Sequence, residues 1–472
     1  MRLCLCGLCL CLRWRWSLMD FSGWFSRISS KTGQVPEPGI YHYRLKSQDS
    51  KNRMHLRVEA DGNALLMVNA ARAYHLNPTA AALAYWFLND LNPEQIRRSL
   101  FKNFDLDQKQ AEKDVLPFLN QLSVITDPDE ACPICELDLA LDLPFSHQPS
   151  APYRMDLAIT YRCNNECEHC YNARARSYPE LDTQSWKQII DRCWELGIPH
   201  LVFTGGEPTL RKDLPELIAY AEEKGMITGI NTNGRRLKDP ALLQKLVEAG
   251  LDHVQITLES SDANIHDEMV NAKNAWTETI AGIKNVVASD LYMMTNTTML
   301  SVNQHTISDT LDLLGEIGVP TVGLNALIYS GKGINVGTGL KEQDLGDLLE
   351  IAKQKTSANN QKLIWYTPTE YCHFNPIQHD LGIKGCSAAL YNMCIEPDGA
   401  VLPCQSYYEP LGNMLHDGWD SIWNHELAVS LRERHNLPEK CNHCDLVLEC
   451  GAGCPLTRIA EKQLNPLGGE YV

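Results

Sequence analysis

The feature that most constrains the fold is a run of alternating strand and helix patterns that begins near residue 154. Six apolar segments with strand character follow one another, at residues 155–160, 200–204, 227–232, 253–258, 293–300 and 321–327. The clearest helical pattern between them has one apolar face, formed by Trp186, Ile189, Ile190, Cys193 and Trp194. Repeated strand–helix units require a parallel sheet, so an α/β fold with a partial (β/α)6 TIM-type barrel is predicted.

Three cysteines follow the first predicted strand. Cys163, Cys167 and Cys170 are separated by gaps of three and two residues, at the end of the strand where βα proteins place their chemistry. Four thiolates complete an iron-sulfur cluster, whereas three leave one iron with a free coordination position. A zinc site is the alternative, because His169 could complete a set of three cysteines and one histidine. Its position beside Cys170 would strain such a short loop.

A glycine-rich motif, Gly205-Gly206-Glu207-Pro208, follows the second predicted strand. The two glycines allow a ligand to approach the backbone closely, and the Glu207 carboxylate can hold an ammonium group. A zinc site does not need these features. They suit an amino-acid-like ligand that binds an open iron through its own amine and carboxylate, and they favour the iron-sulfur interpretation.

These two motifs, with Tyr171 directly after the third cysteine, resemble the radical SAM superfamily over about residues 154–340. The resemblance implies a 4Fe-4S cluster that binds S-adenosylmethionine (SAM) and, when reduced, cleaves it to methionine and a 5′-deoxyadenosyl radical that abstracts a substrate hydrogen. It implies that the catalytic cluster ligands are Cys163, Cys167 and Cys170. The residues implied to bind the cofactor are Tyr171, Gly205, Gly206, Glu207, Pro208, Asn231, Thr257 and Glu259.

A second series of cysteines begins at Cys386. The turn Pro397-Asp398-Gly399 predicts two antiparallel strands that bring Cys386 and Cys404 together. Cys394, between them, is interpreted as a buried strand residue. The dense run that follows has gaps of two, five and three residues and indicates metal ligation, with a zinc ribbon as the alternative; it consists of Cys441, Cys444, Cys450 and Cys454.

This series resembles the SPASM domain, which carries auxiliary 4Fe-4S clusters in many peptide-modifying radical SAM enzymes. The resemblance assigns Cys386, Cys404 and Cys454 to a first cluster, with Cys372 as a candidate fourth ligand. It assigns Cys441, Cys444 and Cys450 to a second cluster. No cysteine follows Cys454, so three alternatives stay open: the second cluster lacks one thiolate, it uses Cys394, or only one auxiliary cluster is present.

Residues 38–127 are predicted to form a winged helix-turn-helix domain. The segment 54–69 predicts a hairpin around Asp61-Gly62, and Asn77-Pro78 and Asn92-Pro93 predict the starts of two helices. A third helix follows Asp107, with a kink expected at Pro117. Its balanced charges argue against DNA binding. The segment "LLMVNAARAYHLN" resembles the PqqD-like peptide-recognition domain, which implies capture of a leader peptide by strand addition at the hairpin edge; a generic packing domain is the alternative.

The composition restricts the partners and the compartment. A formal charge of −17 without a dense basic block disfavours nucleic acid. Most of the 18 cysteines fall into closely spaced groups, which indicates metal ligation in a reducing compartment rather than a disulfide scaffold.

The pair Cys132 and Cys135 is interpreted as redox-active, as half a metal site or as structural. The apolar run at residues 3–12 is too short to span a membrane and makes a poor signal peptide, and Met19 is an alternative start.

The prediction is therefore a cytoplasmic, anaerobic radical SAM enzyme that modifies a ribosomally made peptide. Its expected partners are a precursor peptide with a leader sequence and an electron donor such as flavodoxin or ferredoxin, with no nucleic acid and no membrane span. Alternatives are an enzyme that modifies tetrapyrrole side chains and a non-catalytic peptide-binding or iron-sensing protein.

The predicted organisation is a disordered extension (1–37), the PqqD-like domain (38–127), a linker (128–152), the barrel (153–340), a connecting segment (341–385), the small Cys-rich iron-sulfur domain (386–460) and a tail (461–472).

Overall fold

A computed structural model describes residues 33–46, 51–69, 72–126 and 149–464 of the chain. The pair Cys132 and Cys135 and the four cysteines before residue 12, for which predictions were made, lie outside these ranges. Within the described ranges, no helix has both the length and the apolar character needed to cross a membrane.

The N-terminal domain is a four-stranded antiparallel sheet followed by three helices, with an apolar core of its own. The predicted hairpin around Asp61-Gly62 is present, and both predicted helix starts are capped: the Asn77 side chain accepts from the Ala80 N–H, and Asn92 forms a capping box with Gln95. The prediction missed the two outer strands. The elements are β1 Gly39–Lys46, β2 Lys51–Val58, β3 Ala64–Val68, β4 Arg72–Leu76, α1 Pro78–Leu88, α2 Pro93–Asn103 and α3 Gln108–Thr126, which contains Pro117.

The central part of the chain forms the predicted parallel sheet. All six predicted strands are present and lie side by side in chain order, and a seventh parallel strand, which was not predicted, follows them. The strands are β5 Arg154–Thr160, β6 His200–Gly205, β7 Ile227–Thr232, β8 His253–Thr257, β9 Tyr292–Thr298, β10 Thr321–Asn325 and β11 Lys362–Trp365. The helices are α4 Thr183–Glu195, α5 Leu214–Lys224, α6 Pro240–Glu248, α7 Ala263–Met269, α8 Ala275–Val287, α9 Ile307–Ile317 and α10 Leu345–Ala358.

The apolar faces of the helices pack on this sheet to form one continuous core. In α4 the predicted stripe is confirmed, since Trp186, Ile189 and Ile190 are fully buried and Cys193 is a small core residue among them. Each large side chain buried in this way stabilises the fold by about 1.5–3 kcal/mol. The sheet is therefore a rigid base for the loops at its carboxyl edge.

The C-terminal region extends the same sheet. Strand β12 pairs in parallel with β5, and the predicted turn at Pro397-Asp398-Gly399 joins it to the antiparallel strand β13. The helix at the C-terminal end of the described residues runs across the domain boundary predicted at residue 460. The elements are β12 Asn392–Ile395, β13 Ala400–Leu402, β14 Gly412–Asn413, α11 Trp419–Trp423, α12 Glu426–Arg432, α13 Val447–Cys450 and α14 Pro455–Leu464.

The N-terminal domain is attached to the barrel through side chains of β2. The buried Arg53 guanidinium pairs with Glu222 and lies 3.1 Å from an Asp252 carboxylate oxygen. Nε2 of His55 lies 2.8 Å from the Gly225 carbonyl oxygen. Gly225 ends α5 with a φ of +92°, and a Cβ atom there would lie 2.4 Å from the His42 ring. The contact is polar and buried, so the two parts are held in a defined orientation.

Two buried histidines lie at the amino ends of β6 and β8, the strands on either side of β7. Nε2 of His200 is 2.8 Å from Nε2 of His253. Burial, with the nearby Arg154 charge, lowers the pKa of His253 to about 4, and burial together with His253 lowers the pKa of His200 well below its usual range. Both rings are therefore neutral in the folded protein at neutral pH.

We expect this pair to make the fold sensitive to acid. An unfolded histidine takes up a proton near pH 6.5, whereas folded His253 resists protonation until about pH 4, so folding stability falls as the pH drops through this window. His253→Asn should move the acid-unfolding midpoint, followed by circular dichroism, to lower pH. The control is His435→Asn at an exposed position. A midpoint that moves equally in both variants, or in neither, would contradict this account.

Candidate active site

The three predicted cysteines lie in the loop that follows β5, at the carboxyl edge of the parallel sheet. The Cys163 sulfur accepts from the Asn165 N–H at 3.4 Å and lies 4.0 Å from Nδ2 of Asn233. Burial raises the pKa of Cys163 to about 11 and raises the pKa of Cys167 well above its usual value, and the Cys170 thiol adds to both shifts. The three thiols lie on one short loop and interact electrostatically, and they suit an iron cluster whose charge would displace their protons.

Arg176 stabilises the cysteine loop from one side. Its guanidinium donates to the carbonyl oxygens of Tyr161 at 3.2 Å and Asn165 at 3.1 Å, and it pairs with Glu166 at 3.0 Å. Burial opposes its charge, but Glu166 and the cysteine thiols outweigh burial and raise the pKa of Arg176. The arginine thus holds the backbone around Cys163 and places a positive charge beside the thiols.

The glycines after β6 make room for protein backbone. A Cβ atom on Gly205, whose φ is +133°, would lie 2.0 Å from the Thr160 carbonyl oxygen, and one on Gly206 would lie 2.4 Å from that of Arg162. The Gly206 N–H donates to Thr160 at 2.7 Å, and the Glu207 N–H donates to Arg162 at 2.8 Å. The approach of the segment that leads into Cys163 therefore requires these glycines, and the close approach of a ligand stays a prediction.

Glu207 lies between the loops after β6 and β7. It is fully buried, and one carboxylate oxygen accepts from the Thr209 hydroxyl at 2.5 Å and from the Thr232 hydroxyl at 2.7 Å. The other accepts from the Asn233 N–H at 2.8 Å. Burial raises the pKa of Glu207, although these hydrogen bonds oppose the shift. In this structure the carboxylate joins the loops after β6 and β7 through these hydrogen bonds.

Asn233 was missed by the sequence analysis, which selected Asn231 in the same motif. Asn231 lies within β7, whereas Asn233 lies beyond its carboxyl end and donates to the Asn164 side chain at 2.7 Å. Gly234, with a φ of +74°, turns the chain directly afterwards. The signal was available, because the functional residues of such barrels come from the carboxyl ends of the strands and the loops that follow, and Asn233 directly follows β7.

His169 is engaged by Glu259, the residue predicted to contact the cofactor after β8. The two side chains lie 2.9 Å apart. Burial opposes protonation, but the Glu259 carboxylate outweighs it and raises the pKa of His169. The second Glu259 oxygen accepts from the Thr298 N–H at 2.9 Å. This pairing directs His169 to a carboxylate, and it fastens the cysteine loop to the ends of β8 and β9.

The other predicted cofactor-binding residues lie around the same edge. The buried Pro208 begins a short 3₁₀ turn, and the half-buried Thr257 is the last residue of β8. The Tyr171 hydroxyl lies 3.4 Å from the Gln405 side chain, which comes from the C-terminal region. Burial raises the pKa of Tyr171 above its usual range. The C-terminal region therefore reaches the cysteine loop.

A buried ion pair joins these two regions. Both nitrogens of the Arg174 guanidinium fork donate to the Glu396 carboxylate, at 2.7 and 2.8 Å, and Glu396 is fully buried at the end of β12. The Tyr161 hydroxyl donates to the same carboxylate at 3.1 Å. The guanidinium also lies over the rings of Tyr178 and Tyr408. Arg174 is four residues after Cys170, so this pair fixes the end of the loop.

The C-terminal cysteines separate into two groups. The first group is Cys386, Cys404 and Cys454; burial raises the pKa of Cys386 and of Cys404 to about 12, and Cys454 adds to both shifts. The second group is Cys441, Cys444 and Cys450; burial raises the pKa of Cys441, and Glu370, Cys450 and Cys444 add to this shift. Cys450 is buried, whereas Cys444 is exposed. Two such groups of thiols suit two metal clusters. Cys394 is fully buried in β12, as predicted, and Cys372 lies on a loop that contacts Cys450.

Comparison with known proteins agrees with this geometry. Residues 157–314 match the radical SAM superfamily, and residues 386–445 match SPASM, an iron-sulfur cluster-binding domain. Fe-coproporphyrin III synthase of Methanosarcina barkeri is 30% identical over 324 residues, which are 62% of this chain and 80% of that protein. PqqA peptide cyclase of Xanthomonas campestris pv. campestris is 29% identical over 305 residues, which are 62% of this chain and 79% of that protein.

Solved structures share the fold. Streptococcus suis SuiB bound to its precursor peptide SuiA has a TM-score of 0.65 at 16% identity, covering 89% of this chain and 97% of that one. anSMEcpe with bound AdoMet has a TM-score of 0.54 at 17% identity, covering 66% and 91%. The chain belongs to the radical SAM superfamily and carries a SPASM domain. It is therefore an enzyme that uses a SAM-binding 4Fe-4S cluster together with auxiliary iron-sulfur clusters.

The close backbone contact after β6 can be tested with Gly206→Ala. The added methyl group would lie 2.4 Å from the Arg162 carbonyl oxygen, so the segment before Cys163 must move, at a cost of about 1–3 kcal/mol. We expect a lower urea midpoint and a reduced iron content after anaerobic reconstitution. Gly418→Ala is the matched control, because a Cβ atom there meets nothing within 4 Å. Equal iron content in both variants would refute the importance of this contact.

Proposed function

We propose that this enzyme is a peptide maturase that abstracts a hydrogen atom from a residue of a ribosomally made precursor peptide. The observation that carries the proposal is the structural similarity to SuiB, which covers 89% of this chain. The barrel and the C-terminal region together make up a smaller share of the chain than this. An N-terminal sheet-and-helix domain attached to the barrel by buried ion pairs suits an enzyme that must hold a long substrate at two places.

In this proposal the SAM-binding cluster is held by Cys163, Cys167 and Cys170. The reduced cluster and SAM together supply a 5′-deoxyadenosyl radical, which takes a hydrogen atom from the substrate. The chain's own residues shape the site: Arg176 and Glu259 hold the cysteine loop, and Glu207 orders the neighbouring loops. The residues proposed to contact SAM are Tyr171, Gly205, Gly206, Glu207, Pro208, Asn231, Thr257 and Glu259, to which Asn233 is added because it lies beside Cys163.

Closing a crosslink after hydrogen abstraction removes one more electron and one proton from the peptide. We propose that the C-terminal cysteines would hold an auxiliary cluster able to take up this electron, and that a flavodoxin or ferredoxin would supply the electron that starts each cycle. Both steps suit a reducing, anaerobic cytoplasm, where the many free cysteines would persist as thiols. A thioether and an epimerised residue are the other products that the same first step can give.

The N-terminal domain is proposed to bind the leader peptide as an added strand. The predicted location, the edge of the β2–β3 hairpin, needs a correction, because β1 and β4 already pair with the two sides of that hairpin. Within the described residues, the free edges of this sheet belong to β1 and β4. A leader peptide that adds a strand must therefore pair with one of these two.

A second candidate function is modification of a tetrapyrrole side chain. It is favoured by the similarity to Fe-coproporphyrin III synthase and to AdoMet-dependent heme synthase of the same organism, which is 29% identical over 65% of this chain and 91% of that protein. A change in porphyrin absorbance on titration with the protein would support it. Peptide binding at the N-terminal sheet would argue against it.

The maturase proposal predicts a mass change in a short peptide encoded beside the gene. We expect the change after anaerobic co-expression with the wild-type enzyme and its loss with Cys163→Ala, because two thiolates cannot hold the SAM-binding cluster firmly. Intact-mass spectrometry of each peptide checks this, and 5′-deoxyadenosine formation should fall to background in the variant. Unchanged 5′-deoxyadenosine in Cys163→Ala would disprove the cluster assignment. No mass change in any peptide would favour the tetrapyrrole candidate.

Leader binding predicts local protection from hydrogen exchange. When the precursor peptide is added to the full-length enzyme, amides of β1 or β4 should exchange at least about tenfold more slowly, because an added strand pairs with one sheet edge. The amides of the central strands β2 and β3 serve as the internal control, since their partners do not change. Protection confined to the barrel would show that the N-terminal sheet does not bind the leader.

A further inference from the structure

The loop at residues 369–373 lies directly against the second group of C-terminal cysteines. The Tyr371 N–H donates to the Cys450 sulfur at 3.3 Å, and that thiol lies 3.6 Å from the Thr369 carbonyl oxygen. A Cβ atom on Gly453, whose φ is +66°, would lie 3.0 Å from the Glu370 nitrogen. The loop therefore packs closely on the turn that follows Cys450.

Within this loop, Cys372 lies next to the Glu370 side chain. Its sulfur lies 3.7 Å from a Glu370 carboxylate oxygen, and that oxygen also accepts from the Lys440 ammonium at 2.8 Å. Lys440 directly precedes Cys441. One carboxylate oxygen thus contacts both the Cys372 thiol and the residue before Cys441, although 69 positions separate the two cysteines in the sequence.

These contacts place the loop of Cys372 beside Cys450 and beside Lys440, the residue before Cys441. Both cysteines belong to the second group, whereas the sequence pattern assigned Cys372 to the first.

We propose that Cys372 is the fourth thiolate of the second auxiliary cluster, together with Cys441, Cys444 and Cys450. This inference rests on the proposed function, because it presupposes that the second group binds a cluster. A 4Fe-4S cluster that has no substrate bound to it takes four ligands, and the structure supplies the fourth from upstream of the SPASM region. The first group then contains the three thiolates of Cys386, Cys404 and Cys454.

The test uses the full-length chain with Cys163, Cys167 and Cys170 changed to alanine, so that all bound cluster iron belongs to the auxiliary sites. Cys372→Ala, Cys441→Ala and Cys386→Ala are made in this background and reconstituted anaerobically. Iron, zinc and sulfide per chain are measured, and the reduced proteins are compared by electron paramagnetic resonance. Cys193→Ala is the control, because this buried thiol lies in the barrel core away from both groups.

We expect Cys372→Ala and Cys441→Ala to alter the same resonance signal and to lose up to about four irons each. The double variant should lose no more than Cys441→Ala alone, because both residues serve one cluster. Cys372→Ala combined with Cys386→Ala should instead affect both signals.

Other outcomes overturn the proposal in distinguishable ways. A Cys372→Ala protein that keeps both signals, or that alters the Cys386-dependent one, rejects the role of Cys372 while the auxiliary clusters stand. If Cys441→Ala also leaves the iron content unchanged, or if zinc is found in place of iron, the second cluster itself is absent and that part of the proposed function fails.

Discussion

Two backbone hydrogen bonds between the loop after β6 and the residues that precede Cys163 determine how the rest of the site is arranged. They join Gly206 to Thr160 and Glu207 to Arg162, and they form only because neither Gly205 nor Gly206 carries a side chain. The contact places the Glu207 carboxylate where it accepts a hydrogen bond from the Asn233 N–H in the loop after β7. The Asn233 side chain in turn lies 4.0 Å from the Cys163 sulfur. Three neighbouring strand ends are thereby coupled to one cysteine.

Buried charges then fix the far end of the cysteine loop. His169 pairs with Glu259 after β8, and Arg174 pairs with Glu396 at the end of β12. Such pairs contribute little net stability, since desolvation offsets most of their attraction, but losing one partner costs about 3–5 kcal/mol. They therefore specify geometry more than they add stability. The loop is held between the barrel and the C-terminal region, which suits a site that must shield a reactive radical from solvent.

The sequence was sufficient to predict the six barrel strands, the α4 stripe and the cysteine motif, because each has a local period or spacing. It overlooked β1, where Tyr41 and Tyr43 pack on the domain core while His42 and Arg44 face the barrel. The apolar–polar alternation of a strand is present in this segment but was not used. The roles of Gly206, Asn233 and Cys372 depend on contacts between distant segments, and no local pattern encodes them.

The pairing of β12 with β5 has a consequence for biosynthesis. During translation, β5 emerges from the ribosome more than 230 residues before the strand that covers its outer side. Until then an apolar strand, buried along almost its whole length in the finished protein, has an open edge of the kind that pairs with other chains. The cysteine loop follows this strand directly, so a premature insertion of iron would meet a half-built sheet. Cluster loading in the cell is thus expected to follow the synthesis of β12.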